Sequence, residues 1–97
     1  MRSRTYYVYI LSNRHRTVLY TGMTNNLRRR LREHRAGTAS AFTNRYNATD
    51  LVFAERHTSA RSAIQREKQI KRWRREKKLS LIRTVNPDLH TLPPPVD

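Results

Sequence analysis

The sequence predicts an α+β fold: a small three-stranded antiparallel sheet flanked by helices, in the order β-β-α-β-α-α. Three observations predict it. Residues 5–11, Thr-Tyr-Tyr-Val-Tyr-Ile-Leu, form a run of β-branched and aromatic residues, and a polar turn separates it from a second short β-rich segment. Leu27 and Leu31 stand four apart in an arginine-rich stretch that ends at Gly37, the pattern of a helix with one apolar stripe. Farther on, a third β-rich segment at residues 50–56 is followed by helical periodicity from Ala60.

Taken in order, residues 5–11 are apolar without alternation, which suits a central strand covered on both faces. Tyr7 and Tyr9, two apart, share one of those faces. Residues 12–16 are polar and make the turn of a hairpin, and residues 17–20 return as its second strand. The first helix is placed at residues 26–36, with Thr24 or Asn25 as its N-cap and Gly37 as a left-handed stop. Arg30 and His34, also four apart, lie along the margin of the leucine stripe. Residues 37–49 are a polar connection without clear periodicity. Thr58 or Ser59 caps a second helix over residues 60–71, whose stripe is Ala60, Ala63, Ile64, Glu67, Ile70 and Lys71. Residues 73–82 make a third helix with Leu79 and Ile82 inward. One domain is expected over residues 1–83; residues 84–97, with Pro87 and the run Pro93-Pro94-Pro95, read as an extended, mobile tail.

Charge narrows the partner. The 97 residues carry a formal net charge of +14, with a pI near 11.5, and arginine outnumbers lysine 17 to 4. Self-repulsion at that charge costs stability, so a polyanion is the natural partner. Guanidinium forks match phosphate oxygens bidentately, which favours a nucleic-acid backbone. No cysteine is present, so a disulfide framework, an iron–sulfur cluster and a thiol nucleophile are excluded, and a cytoplasmic protein is expected. No apolar run is long enough to span a bilayer, and the stretch after Met1 lacks a signal-peptide core. A monomer is the default expectation.

A metal that handles phosphate needs a hard oxygen ligand, and only seven carboxylates are available. Asp88 and Asp97 fall in the tail, Asp50 opens a strand, Glu55 lies near a strand end, and Glu33 and Glu76 sit among helix basics. Glu67 alone lies on a helix stripe that should face the sheet, where a carboxylate is costly unless paired or metal-bound. Two readings stay open for it: an ion pair with Lys71 or a nearby arginine, or a metal ligand. The histidines, His15, His34, His57 and His90, are too scattered for a zinc site. Trp73, among the basics of the C-terminal helices, is either a core anchor or a base-stacking ring.

The ordered set Tyr7-Val8-Tyr9, then Tyr20-Thr21-Gly22, then Leu27-Arg28-Arg29-Arg30-Leu31 with His34, then Thr43 and Leu51-Val52-Phe53, and then Ala63 to Arg72 around Glu67, resembles the GIY-YIG nuclease superfamily. The likeness is nearest to its small, stand-alone, UPF0213-like bacterial members and covers about residues 5–83. Tyr7 replaces the first motif's glycine, Thr21 replaces the second motif's isoleucine, and the family's asparagine after the glutamate has no counterpart. The resemblance implies metal-dependent hydrolysis of phosphodiesters, usually in DNA. It implies Tyr9, Tyr20, Arg30, His34 and Glu67 as catalytic residues, Glu67 holding Mg²⁺ or Mn²⁺, and Tyr9 or His34 taking the proton of the attacking water. Arginines and a cation nearby are expected to favour the Tyr9 phenolate. Arg28, Arg29, Lys71 and Arg72 are expected to contact nucleic acid. A basic nucleic-acid-binding protein without catalysis is the competing expectation.

Overall fold

The computed structural model describes residues 4–95. Strands β1 (Tyr6–Ser12), β2 (Leu19–Thr24) and β3 (Asp50–His57) form one antiparallel sheet in the order β2-β1-β3. The predicted hairpin and central strand are both present. The second strand runs farther than residues 17–20, so Tyr20 and Gly22 both lie inside the ladder, Tyr20 opposite Leu11 and Gly22 opposite Tyr9. Helix α1 (Leu27–Ala36) is capped by Asn26, whose side chain accepts from the Arg29 N–H, and not by Thr24 or Asn25. Thr24 closes β2, and its hydroxyl accepts the Asn26 N–H at 3.0 Å. Gly37 stops the helix at φ 79°, and the next N–H, that of Thr38, returns to the Glu33 carbonyl.

The polar connection after α1 contains a further short helix, α2 (Ala41–Tyr46), with Ser40 as N-cap and Asn47 as a left-handed C-cap. Helix α3 (Ala60–Lys71) starts at the Ser59 cap and ends where its sequence pattern ends, whereas α4 (Arg75–Arg83) begins two residues later than its pattern suggested. The stripe of α3 is rotated from the expected one. Ala63 and Ile70 are buried against the sheet, but Ile64 is 40% exposed and Lys71 lies outside.

Because side chains alternate along a strand, β1 feeds two cores. Tyr7, Tyr9 and Leu11 pack with Leu27, Leu31 and Leu51 on the α1 side. Val8 and Ile10 pack with Val52, Phe53, Ala63, Ile70 and Ile82 on the side of α3 and α4. A bulge lets Ile10 pair with Phe53 and Leu11 with Leu51, so the consecutive residues Val52 and Phe53 serve the same core.

Residues 84–92 are not a free tail. Asn86 is buried and donates to the Val52 and His90 carbonyls, both at 2.9 Å, and Leu92 donates its N–H to the Leu51 carbonyl at 2.7 Å. Arg16 clamps the same segment through the Leu89 carbonyl and Thr91 while pairing with Asp50 at 2.7 Å. Leu89 and Leu92 pack on the two cores. The proline content that suggested mobility lies beyond these anchors, except for Pro87 in the turn between Asn86 and Leu89.

Candidate active site

Tyr9 stands at the centre of the sheet on the α1 face, because β1 is the middle strand and α1 follows directly from β2. Its hydroxyl lies 2.9 Å from Nε2 of His34, which α1 brings down one turn after Arg30. Nδ1 of His34 lies 2.7 Å from the Thr43 hydroxyl of α2. That hydroxyl donates onward to the Ser40 carbonyl at 3.3 Å. That contact suits the tautomer in which Thr43 accepts from Nδ1–H and Nε2 presents its lone pair to the Tyr9 O–H. In that tautomer the three buried side chains run donor to acceptor: Tyr9, His34, Thr43.

Gly22 makes room for this. A Cβ at Gly22 would sit 2.5 Å from both Cζ and Oη of Tyr9, so the Tyr9 ring lies across the strand where a side chain would otherwise be. Tyr20 joins from the same face of β2; its ring centroid is 5.4 Å from that of His34 and 6.5 Å from that of Tyr9.

Burial sets the electrostatics. It pushes the Tyr9 phenol well above its ordinary range, with Tyr20, Glu67 and Glu33 adding to the rise and Arg30 opposing it. The expectation of a phenolate favoured by nearby arginines is thus reversed in the protein alone, because desolvation outweighs Arg30. Burial also lowers the pKa of His34, and Arg30 lowers it further, so the imidazole is neutral at pH 7.

Arg30 is held at its tip by Glu33, with Nη1 3.5 Å from Oε1, while its Nε is buried without a hydrogen-bond partner. It borders a cleft of about 250 Å³ with Tyr6, Met23, Thr24 and Asn25. An orphaned guanidinium N–H at a cleft wall is suited to an anionic oxygen.

Glu67 arrives from the opposite face of the sheet. Ala63 and Ile70 point α3 inward, and at 100° per residue Arg66 and Glu67 fall on the two flanks of that line. Arg66 reaches β3, where it holds Glu55 at 3.0 and 3.2 Å. Glu67 therefore lies on the β2 flank, close enough to raise the Tyr9 pKa. It pairs with Lys71 at 3.5 Å. Among the described residues no three His, Cys, Asp or Glu side chains converge as a metal cage. A lone carboxylate fits Mg²⁺, which keeps most of its waters and binds proteins through one or two carboxylates, and is too sparse for zinc.

The structure thus gathers Tyr9, Tyr20, Arg30 and His34, with Glu67 approaching from the flank. Arg28 and Arg29 lie on the outer face of α1, where Arg29 is 3.9 Å from Glu33. Lys71 and Arg72 are exposed at the end of α3, and Arg72 borders a shallow cavity of about 430 Å³ beside Trp73. Trp73 is partly buried against the core and carries Arg66 and Lys77 over its ring, at 5.3 and 4.4 Å from the centroid. Thr43 belongs to the set that carries the family resemblance, but its contact with His34 was not read from the sequence. The available signal was Ser40 three residues before Thr43, with Phe42 and Tyr46 at helical spacing.

Known proteins resemble this chain in sequence and fold. The profile of the GIY-YIG catalytic domain matches residues 5–80. A UPF0213 protein of Natronomonas pharaonis is 44% identical over 77 residues, spanning 79% of this chain and 89% of that one. A UPF0213 protein of Clostridium perfringens is 41% identical over 76 residues, 78% and 81% of the two chains. The solution NMR structure of a UPF0213 protein from Bacillus halodurans superposes with a TM-score of 0.57 at 28% identity, covering 87% of this chain and 88% of that one. By sequence and fold, this chain belongs to the UPF0213 group of GIY-YIG domain proteins.

Proposed function

We propose that this protein is an endonuclease that hydrolyses DNA phosphodiesters with Mg²⁺ or Mn²⁺, in the cytoplasm. The observation that carries the reading is the buried Tyr9–His34–Thr43 chain set beside Arg30, whose Nε has no partner. The hydrogen bonds of that chain satisfy its own buried groups, whereas the Arg30 Nε beside them is left for a partner from outside.

In this reading Tyr9 and His34 work in series. The raised phenol pKa keeps Tyr9 protonated, and its O–H is aimed at Nε2 of His34. As water attacks phosphorus, Tyr9 accepts the water proton at Oη while its own proton passes to Nε2, so no free phenolate forms. His34 is suited to receive it because it starts neutral and is oriented by Thr43. Arg30 donates to a phosphate oxygen and offsets the charge that develops there. Tyr20 positions the phosphate or the water. Glu67, released from Lys71, would hold the cation, which supplies Lewis-acid stabilisation of the leaving oxygen. Arg28, Arg29, Lys71 and Arg72 contact the flanking backbone.

The Glu67–Lys71 pair at 3.5 Å favours a second reading, a nucleic-acid-binding protein in which Glu67 is only an ion-pair partner. One experiment separates the two. Single-stranded, duplex and branched DNA are incubated with Mg²⁺ or Mn²⁺ and either wild type or Glu67→Ala, with binding measured for both. The nuclease reading expects metal-dependent cuts that vanish in the variant while binding persists. Binding without cuts in either metal, or equal cleavage by the variant, would refute it.

A further inference from the structure

We propose that the outer face of α2 is a stacking platform for an unpaired base of single-stranded DNA, next to the phosphate held at the active site. The proposal deepens the nuclease reading and rests on it for the position of the phosphate.

A ladder of planar groups leads out of the site. The His34 ring meets Tyr20 at 5.4 Å, Tyr20 stacks on Phe42 at 6.0 Å and 26°, and Phe42 meets Tyr46 at 4.8 Å. The Arg45 guanidinium lies over the Tyr46 ring, 5.5 Å from its centroid. Phe42 and Tyr46 remain 41% and 42% exposed. The Ser40 and Asn47 caps and the buried Thr43 on His34 already hold α2, and Phe42 adds its stack on Tyr20. Two large rings, each partly covered by its neighbours in the ladder, thus keep part of their surface in solvent.

The occupant follows from shape and charge. No carboxylate occurs between Glu33 and Asp50, whereas Arg35 and Arg45 do, so the surface suits an aromatic group carried on an anionic backbone. A base inside a duplex has both faces covered by its neighbours. Only an unpaired or splayed base has a face free to extend or enter the ladder. A second copy of the chain fits poorly, because two surfaces of a protein with net charge +14 repel each other and two side chains supply little area.

The test measures binding by the full-length chain in EDTA, so that no cleavage enters the readout. Wild type, Phe42→Ala/Tyr46→Ala, Phe42→Leu and Phe42→Trp are titrated against a single-stranded oligonucleotide and its duplex by fluorescence anisotropy, with folding checked by circular dichroism. The double variant should bind the single strand roughly 5- to 150-fold more weakly, while duplex affinity holds within about twofold. Its salt dependence should be unchanged, since no phosphate contact is removed. Phe42→Trp should retain binding that Phe42→Leu, apolar but not flat, loses; this pair decides the matter even if the double variant fails to fold. Equal weakening on both substrates, no weakening on the single strand, or wild-type binding by Phe42→Leu would overturn the platform. A chain that binds as expected but never cuts refutes the nuclease reading and keeps the platform. Normal cutting with unaffected single-strand binding does the reverse.

Discussion

Replacing Gly22 by alanine tests whether the site is built around the Tyr9 ring. Gly22 does not adopt a positive φ, so alanine is conformationally permitted there and any cost is steric. The added Cβ falls 2.5 Å from Cζ and Oη of Tyr9 and 2.9 Å from its Cε2, distances that van der Waals contact forbids. One response is for the ring to retreat, which parts Oη from Nε2 of His34 and leaves two buried polar atoms unpaired, a cost of about 1–3 kcal/mol. The other is for β1 and β2 to separate where Tyr9 faces Gly22, at an overpacking cost of about 1–3 kcal/mol. Either way the loss is about 2 kcal/mol, which lowers Tm by roughly 8–16 °C in a domain of this size. Urea unfolding followed by circular dichroism reads it as a lower midpoint at unchanged slope. The decisive comparison repeats Gly22→Ala in a Tyr9→Leu background, where the clash is removed and the cost should nearly vanish. A Gly22→Ala protein within about 0.5 kcal/mol of wild type, or equal costs in the two backgrounds, would refute this account.

Further outcomes follow from the same geometry. Thr43→Val keeps the volume but removes the acceptor for Nδ1–H of His34; it should cost about 1–3 kcal/mol and shift the imidazole toward the Nε2–H tautomer, read by ¹⁵N NMR of the ring. His34 has a folded pKa below its ordinary value of about 6.5, so the unfolded chain binds more protons in that window. Its stabilising contribution is complete above about pH 6.5 and is lost as pH falls toward the folded pKa; denaturation midpoints against pH should show a slope there that His34→Gln abolishes. Asn86→Ala strips three hydrogen bonds, one that ties the post-α4 segment to the Val52 carbonyl and two to His90 that fold the segment itself, and should destabilise the fold by about 1–3 kcal/mol, with faster amide exchange at Leu92; a free tail predicts no change in either.

Features written in local chemistry were legible in the chain. The unbroken apolar run of β1 identified the central strand, since both its faces are buried. Leu27, Leu31 and the stop at Gly37 marked α1 within a residue or so of its ends. With the family resemblance, Tyr9, Tyr20, Arg30, His34 and Glu67 could be named, and the fold gathers the first four. What tertiary contact decided lay outside any short window. A six-residue helix is under two turns, so a cap at Ser40 and one Phe42–Tyr46 spacing were too slight a pattern to mark α2, and the contact of Thr43 with His34 went unread with it. The stripe of α3 is centred on buried Ala63 and Ile70, and Arg66, on its flank, pairs with Glu55 of β3, a strand that helix periodicity does not describe. The post-α4 segment reads as a tail by composition, yet Asn86 docks because the Val52 carbonyl, 34 residues away in sequence, accepts its amide. The pKa of Tyr9 was also set by the fold. Sequence counts the arginines around a phenol, but burial against Leu27 and Leu31 removes the water, and that desolvation outweighs the charges.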